Sequence, residues 1–204
     1  RRWIRNLHEY PGHPVVVTNN TEFDDMFLVE ITRGCGRHCR FCMAGYGCRQ
    51  PRSRSLPQIQ EILSIAKTFR NKVGLVGAAV SDYPEIDKLC EIIRQQGMGL
   101  SVASLRADSL TPILVEALAQ SGHKTITLAP EAASEKLRKV INKGLNDGDL
   151  ENAVAMAMTA GIPNVRLYIM IGLPYEDSSD IEAIVTMCKK IKQQMLSLGS
   201  NGKL

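Results

Sequence analysis

The sequence predicts an α/β fold built on parallel strands. Five short apolar runs alternate with stretches of helical period along the chain, which is the pattern of repeated βα units. The runs do not alternate apolar and polar residues cleanly, so we expect strands that are buried on both faces. Polar residues and glycines gather where the runs end, and barrels and open α/β sheets both carry their sites there. Periodicity by itself leaves a barrel and an open doubly wound sheet as alternatives.

The predicted strands are apolar runs rich in β-branched residues or leucine. They cover residues 26–31, 72–80, 99–104, 124–129 and 165–172. The predicted helices repeat apolar side chains on one face. They cover residues 57–69, 84–97, 110–122, 148–161 and 179–191.

Local signals mark where these helices begin and end. Thr111 is a predicted cap, with Pro112 in the first turn. Glycines follow three of the helices as predicted stops, namely Gly97, Gly122 and Gly161. The last helix opens with "SDIE", Ser179 to Glu182, which has the form of a capping box. Its predicted apolar stripe consists of Ile181, Ile184, Val185, Cys188 and Ile191.

Composition bounds the class of protein. The chain has 204 residues, of which 44% are hydrophobic and 23% charged, which suits one full-sized domain. Its net charge of +4 neither requires nor excludes a nucleic-acid partner. The basic residues Arg49, Arg52 and Arg54 form either a solvated loop or a basic lip for an anionic substrate. We expect no membrane span, because no apolar run approaches about 18 residues.

Cysteine usage carries the chemical signal. Cys35, Cys39 and Cys42 stand close together after the first predicted strand. Structural zinc would need Cys48 or His38 as a fourth ligand, and a disulfide would leave one thiol over. An iron–sulfur cluster is the third alternative, and three ligands on four irons leave one iron open. The six cysteines are too sparse for a secreted disulfide framework, so we expect a reducing, cytoplasmic setting.

Several motifs carry a resemblance to a known family. The segment "MFLVEITRGCGRHCRFCMAG" contains a CxxxCxxC pattern, and "SLRADSLTP", "LAPEAASEKLRKVINKG" and "LYIMIGLPYED" follow it. Together they resemble the radical S-adenosylmethionine (radical SAM) superfamily, in particular the group of methylthiotransferases and cobalamin-dependent members. The resemblance implies a partial (β/α)6 barrel of TIM type with parallel strands, truncated before or within the sixth strand.

The resemblance also implies an activity. Cys35, Cys39 and Cys42 would hold a 4Fe–4S cluster whose open iron binds SAM. Reductive cleavage of SAM would then give a 5′-deoxyadenosyl radical that abstracts hydrogen from a substrate. An external electron donor is an implied partner. Two rival functions stay open, an RNA methylthiotransferase and a zinc-bearing nucleic-acid-binding module.

The resemblance suggests a division of the chain as well. Residues 1–25 are expected to be a leader from a larger protein, and residues 26–204 the radical SAM core domain. Relatives with such a leader join it to an upstream cobalamin-binding domain. Cobalamin is therefore an expectation about the full-length protein.

Carried over position by position, the family pattern predicts contacts to SAM. Phe41 would lie against adenine, and Gly77, Ala78 and Ala79 would meet the SAM amino group through backbone atoms. This segment departs from the glycine-rich GGE motif of relatives, since it has no acidic residue. The remaining predicted contacts are polar or glycine-bearing positions after later strands. They are Ser104, Arg106, Glu131, Lys143, Met170 and Gly172.

The roles of these later positions follow the family as well. Glu131 would meet the ribose or the amino-acid part of SAM, and Lys143 would pair with its carboxylate. Met170 and Gly172 match the motif on the adenine side. An ordinary loop with a surface arginine at Ser104 and Arg106, and a solvated lysine at position 143, stay open as alternatives.

Overall fold

The computed structural model describes residues 3–48 and 50–204 and has an α/β architecture. Its strands are β1 Phe27–Glu30, β2 Thr32–Arg33, β3 Arg52–Ser53, β4 Lys72–Val76, β5 Gly99–Ser101, β6 Thr125–Glu131 and β7 Asn164–Ile169. Its α-helices are α1 Ala44–Gly47, α2 Leu56–Lys67, α3 Ile86–Gln95, α4 Pro112–Gln120, α5 Glu135–Val140, α6 Asp147–Thr159 and α7 Ser178–Ser197. Short 3-10 turns cover Leu7–Glu9, Val80–Asp82 and Ala107–Ser109.

The long strands are parallel and follow one another in chain order. β1 pairs with β4 and β4 with β5, while β6 pairs with β7. A parallel bridge between Leu105 and Leu128 joins the two groups. An open doubly wound sheet reverses its strand order at a switch point, whereas a barrel winds in one direction. The sequential order therefore decides in favour of the partial barrel.

Burial alternates along most of the strands, which corrects the prediction that both faces are buried. The exception is β4, in which Val73, Gly74 and Leu75 are all buried, as predicted. In β6, Ile126 and Leu128 are buried, whereas Thr125 and Thr127 between them are partly exposed. β1 follows the same alternation. The helices pack on the buried face and form one large core with it. The other face stays partly open because it lines the inside of an incomplete barrel.

Most helix ends are confirmed. Thr111 accepts a hydrogen bond from the backbone N–H of Leu114 at 3.2 Å, as a cap does. The glycines Gly97, Gly122 and Gly161 adopt φ values of +70°, +85° and +85°. Glycine takes this left-handed conformation without steric cost, so each one ends its helix there.

The predicted start of the last helix is wrong, and its predicted stripe is confirmed only in part. Asp177 is the cap, because its carboxylate accepts N–H bonds from Ser179 and Asp180. The buried face of α7 consists of Asp180, Met187, Ile191 and Met195. Ile181 and Val185 are 38% and 54% exposed. The core therefore takes Met187 and Met195 together with Ile191 of the predicted stripe, and Ile184 packs against it while partly exposed.

The segment before β1 packs against the barrel. Leu7 is buried, and the N–H of Glu30 donates to the carbonyl of Gly12 at 2.7 Å. This bond occupies an edge of β1 that would otherwise present unpaired backbone groups. Beyond α7 the chain returns to β7, where the N–H of Val165 donates to the carbonyl of Lys203 at 2.9 Å. This contact lies on the edge of β7 where the sequence predicts a sixth strand.

The predicted basic lip is corrected at Arg54. Its side chain is 1% exposed and donates to the carbonyls of Leu7 (2.7 Å) and Tyr10 (3.0 Å). It also forms an ion pair of 2.8 Å with Glu30. Arg54 is thus neither solvated nor a substrate contact. Arg52 lies over the ring of Trp3, and Arg49 is outside the described residues.

The described helices were compared with the requirements of a membrane-spanning helix. None of them combines the length and the apolar character needed to cross a bilayer.

Candidate metal centre and cofactor site

The cysteine loop leaves β2 at the carboxyl rim of the barrel. Cys35, Cys39 and Cys42 are free thiols, of which Cys39 is buried and the other two partly buried. Gly34 starts the loop with φ +92°, and a Cβ there would overlap the carbonyl of Cys48. Glycine is therefore required at this turn by both conformation and space. The turn brings the end of the loop back against its beginning.

The end of α5 and the segment after it hold the cysteine loop in place. The N–H of Arg40 donates to the carbonyl of Ile141 at 2.8 Å, and its guanidinium donates to the carbonyl of Lys139 at 3.0 Å. The amide of Asn142 donates to the carbonyl of His38 at 3.0 Å. Both Asn142 and His38 have φ +54°, a strained conformation that these contacts stabilise. The loop is thus fixed by residues about 100 positions away.

Arg106 contacts this loop from the rim after β5. Its guanidinium is bidentate on Asp108, with two bonds of 2.9 Å. It also donates to the carbonyl of Lys143 at 2.8 Å and lies 3.8 Å from the Sγ of Cys39. Its side chain is only 9% exposed. The surface-arginine alternative does not hold for this residue.

A second arginine continues the same network of charges. Arg37 is bidentate on Asp82, with two bonds of 2.7 Å, and donates to Asp108 at 3.0 Å. Burial raises the pKa of Asp82, but hydrogen bonds from Arg37 and Ser109 outweigh it and hold the pKa below its usual value. The hydrogen bonds to Asp82 in turn raise the pKa of Arg37. Both shifts favour the ionised forms of Asp82 and Arg37.

Lys143, Glu131 and Phe41 meet on the other side of Arg106. The Nζ of Lys143 is 3.2 Å from Glu131 Oε1 and 5.7 Å from the centroid of the Phe41 ring. Lys143 is 6% exposed, which excludes the solvated-lysine alternative. Glu131 has φ +66° beside a register shift in β6. Its carbonyl accepts the N–H of Met170 at 2.8 Å. One connected set of contacts thus links Cys39 to the end of β7.

The other predicted residues do not join this set. Ser104 is exposed, and its side chain forms no hydrogen bond within residues 3–48 and 50–204. Gly172 has φ +85° and donates to Glu176 at 3.0 Å. Ala78 is exposed at the rim after β4, next to the partly buried Ala79. Gly77, at the same rim, packs against Thr32.

Four site residues were not assigned from the sequence. They are Arg37, Arg40, Asp82 and Asp108. The sequence contains a partial signal, because Asp82 and Asp108 also follow predicted strands. Nothing in the local pattern indicates which arginine each carboxylate would meet.

The donor set fits an iron–sulfur cluster. Cys35 and Cys39 receive N–H donors, from the backbone of Arg37 at 3.4 Å and from Arg106 at 3.8 Å. Such donors stabilise thiolates, which are the ligands of these clusters. Among residues 3–48 and 50–204, no three Cys, His, Asp or Glu side chains are arranged to hold one metal ion. Each cysteine of a four-iron cluster binds a different iron, so the cluster does not require that arrangement.

Comparison with known proteins identifies the family. The family model of the Radical SAM superfamily matches residues 29–188, so the chain belongs to this superfamily. The protein is therefore an enzyme of the radical SAM type. Membership implies a 4Fe–4S cluster and SAM as cofactors, in agreement with the donor set.

The chain is also similar to curated relatives, and its fold is similar to that of solved structures. The chain is 40% identical to an uncharacterized protein of Methanocaldococcus jannaschii, over 83% of this chain and 38% of the relative. It is 27% identical to a tRNA-2-methylthio-N(6)-dimethylallyladenosine synthase of Orientia tsutsugamushi, over 81% and 40%. The fold resembles TsrM from Kitasatospora setae, solved with cobalamin and a [4Fe–4S] cluster, with a TM-score of 0.63 and 16% identity over 86% and 35%. The chain thus spans about two fifths of the length of these curated relatives.

Proposed function

We propose that this chain is a catalytic domain that holds a 4Fe–4S cluster through Cys35, Cys39 and Cys42 and cleaves SAM reductively. The cluster, when bound, supplies the electron for a cleavage that yields a 5′-deoxyadenosyl radical for hydrogen abstraction. The carrying observation is the connected set of contacts from Cys39 through Arg106 to Lys143. Cys39 and Arg106 follow separate strand ends, and Lys143 reaches them from the loop between α5 and α6. Barrel enzymes bind their substrates at this rim.

The proposed SAM contacts follow from the charges at the rim. SAM carries a carboxylate, an amino group and an adenine. Lys143 supplies a buried cation for the carboxylate, and the acidic Glu131 accepts from the amino group or the ribose. Phe41 is 43% exposed and offers its ring to the adenine. Gly77, Ala78, Ala79, Ser104, Met170 and Gly172 complete the proposed set.

Anaerobic reconstitution with iron and sulfide tests the cluster. We expect the reduced protein to give an electron paramagnetic resonance signal of a 4Fe–4S cluster that changes when SAM is added. Cys39→Ala should abolish this signal, whereas Cys48→Ala should retain it. No cluster, or a cluster that needs Cys48, would contradict the ligand assignment. Tightly bound zinc in its place would support the nucleic-acid-binding alternative.

The binding of SAM is tested at Lys143. Lys143→Met should weaken SAM binding by about tenfold, which is about 1.4 kcal/mol, because it removes the cation for the carboxylate. Lys139→Met is the matched control, since this lysine is exposed and pairs with Glu135 outside the site. Equal SAM affinity in both variants would refute the role of Lys143.

The domain organisation, partners and location of the full-length protein are a separate proposal. We propose a leader in residues 1–25, a core domain in 26–204, an upstream cobalamin-binding domain, an external electron donor and a cytoplasmic location. The cobalamin in TsrM supports this proposal by analogy. Cobalamin absorption in the purified full-length protein tests it.

Methylthiolation of tRNA is the second candidate. It is favoured by the similarity to a tRNA-2-methylthio-N(6)-dimethylallyladenosine synthase. The test incubates the full-length protein with SAM, a reductant and tRNA. A methylthio-modified adenosine in the digested tRNA, seen by mass spectrometry, would support this candidate over the cobalamin-linked one.

A further inference from the structure

Two of the three guanidinium nitrogens of Arg106 are bonded outside the cysteine loop, and the third lies next to this loop. Nε and Nη2 donate to the two oxygens of Asp108, and Nη2 also donates to the carbonyl of Lys143. Bidentate pairing fixes the plane of a guanidinium. The remaining nitrogen, Nη1, therefore has a fixed direction, and it lies 3.8 Å from the Sγ of Cys39.

A chain of ion pairs on the side away from Cys39 stabilises the position of the Arg106 guanidinium. Asp108 is shared with Arg37, which is anchored on Asp82. The backbone N–H of Arg37 donates to the Sγ of Cys35. The same network therefore contacts two of the three proposed ligand sulfurs. Two carboxylates neutralise two guanidiniums, and the positive edge of Arg106 faces Cys39.

We propose that Arg106 is a positioning residue that raises the reduction potential of the cluster through the Cys39 thiolate. This inference rests on the proposed function and assigns Arg106 to the cluster in place of SAM. A cationic donor stabilises the more negative, reduced cluster more than the oxidised one. Hydrogen bonds to ligand sulfurs and local charge set cluster potentials, and burial of Arg106 limits screening by water. The arginine thus favours the electron uptake that must precede SAM cleavage.

A redox titration without SAM tests the proposal. The reconstituted wild type, Arg106→Gln and Arg106→Lys are poised at a series of potentials, and the reduced cluster is quantified by electron paramagnetic resonance. At the wild-type midpoint we expect the ratio of reduced to oxidised cluster in Arg106→Gln to fall about tenfold, equal to about 59 mV for one electron. Arg106→Lys should shift less, because it keeps the charge.

Asp108→Asn provides a second, milder variant. It keeps Arg106 but removes the carboxylate that neutralises it, so it should raise the potential, opposite in sign to the shift expected for Arg106→Gln. If Arg106→Gln does not retain iron and sulfide, this variant carries the test. Its potential and its cluster content are then compared with the wild type.

The outcomes separate this inference from the proposed function. A wild type that holds no cluster overturns both. A wild-type cluster with an unchanged potential in each variant that retains the cluster overturns the role of Arg106 alone. Weaker SAM binding with an unchanged potential would return Arg106 to the SAM contact that the sequence predicts.

Discussion

Replacement of Gly77 by alanine tests how the rim after β4 is packed. Gly77 follows β4 directly and faces Thr32 at the start of the cysteine loop. A Cβ at position 77 would lie closer than 3.0 Å to Thr32 Oγ1, and its next neighbours, Cβ and O of Thr32, would be 3.6 Å away. One oxygen atom therefore accounts for the whole overlap. Thr32 is 7% exposed, and its hydroxyl has no hydrogen-bond partner in the described part of the chain.

The size of the effect follows from this geometry. Overpacking a well-filled site costs about 1–3 kcal/mol, so Gly77→Ala should destabilise the fold by that amount. Thr32→Ala removes the overlapping oxygen and a methyl group, at a cost of about 1 kcal/mol. The double variant should be no less stable than Thr32→Ala, because every remaining contact of the new methyl is of ordinary length. The coupling between the two changes is then about 1–3 kcal/mol.

Urea unfolding of the cluster-free chain under reducing conditions measures these differences. Thr32→Val is the matched control, since it keeps an atom where the hydroxyl oxygen lies and should give no rescue. A stable Gly77→Ala, or equal rescue by Thr32→Val and Thr32→Ala, would refute the steric argument. Binding of SAM to the rescued double variant after reconstitution then shows whether glycine itself is needed for the cofactor.

Three further changes probe the fold away from the cysteines. Arg54→Met should cost about 3 kcal/mol by urea unfolding, because buried carbonyls lose their donor; a loss below about 1 kcal/mol would contradict this. Burial lowers the pKa of His123, so the unfolded chain takes up its proton first and stability should fall as the pH drops below about 6.5. His123→Gln should flatten this part of the pH–stability curve, and an unchanged slope would exclude His123 as its cause. Asp177→Ala should lower the stability measurably while Ser179→Ala changes it little, and the reverse order would restore the predicted cap.

Much of the fold was accessible from local pattern. Helix stops at Gly97, Gly122 and Gly161 depend on a conformation that glycine favours at that position. The apolar runs located the long strands because burial of one face dominates their composition. The start of α7 escaped this reasoning because Asp177 and Ser179 are both good caps. In the structure Asp177 forms a capping box with Asp180, and the buried Asp180 also accepts a hydrogen bond from Ser134, a contact that the local pattern does not show.

Some features of the cysteine site were likewise predictable from the sequence, and others were not. The chain alone determined the three thiols after the first strand, the parallel βα order and the polar residues at the strand ends. Carboxyl ends of parallel strands meet at one rim, so the proximity of Glu131 to the cysteines followed from strand order. Lys143 stands beyond α5 and was predicted only from the resemblance of its motif. The tertiary structure alone decided that Arg106 pairs with Asp108 and contacts Cys39, and that Arg54 is buried. Such choices depend on contacts between residues far apart in the chain, and a charge in a local pattern does not specify its partner.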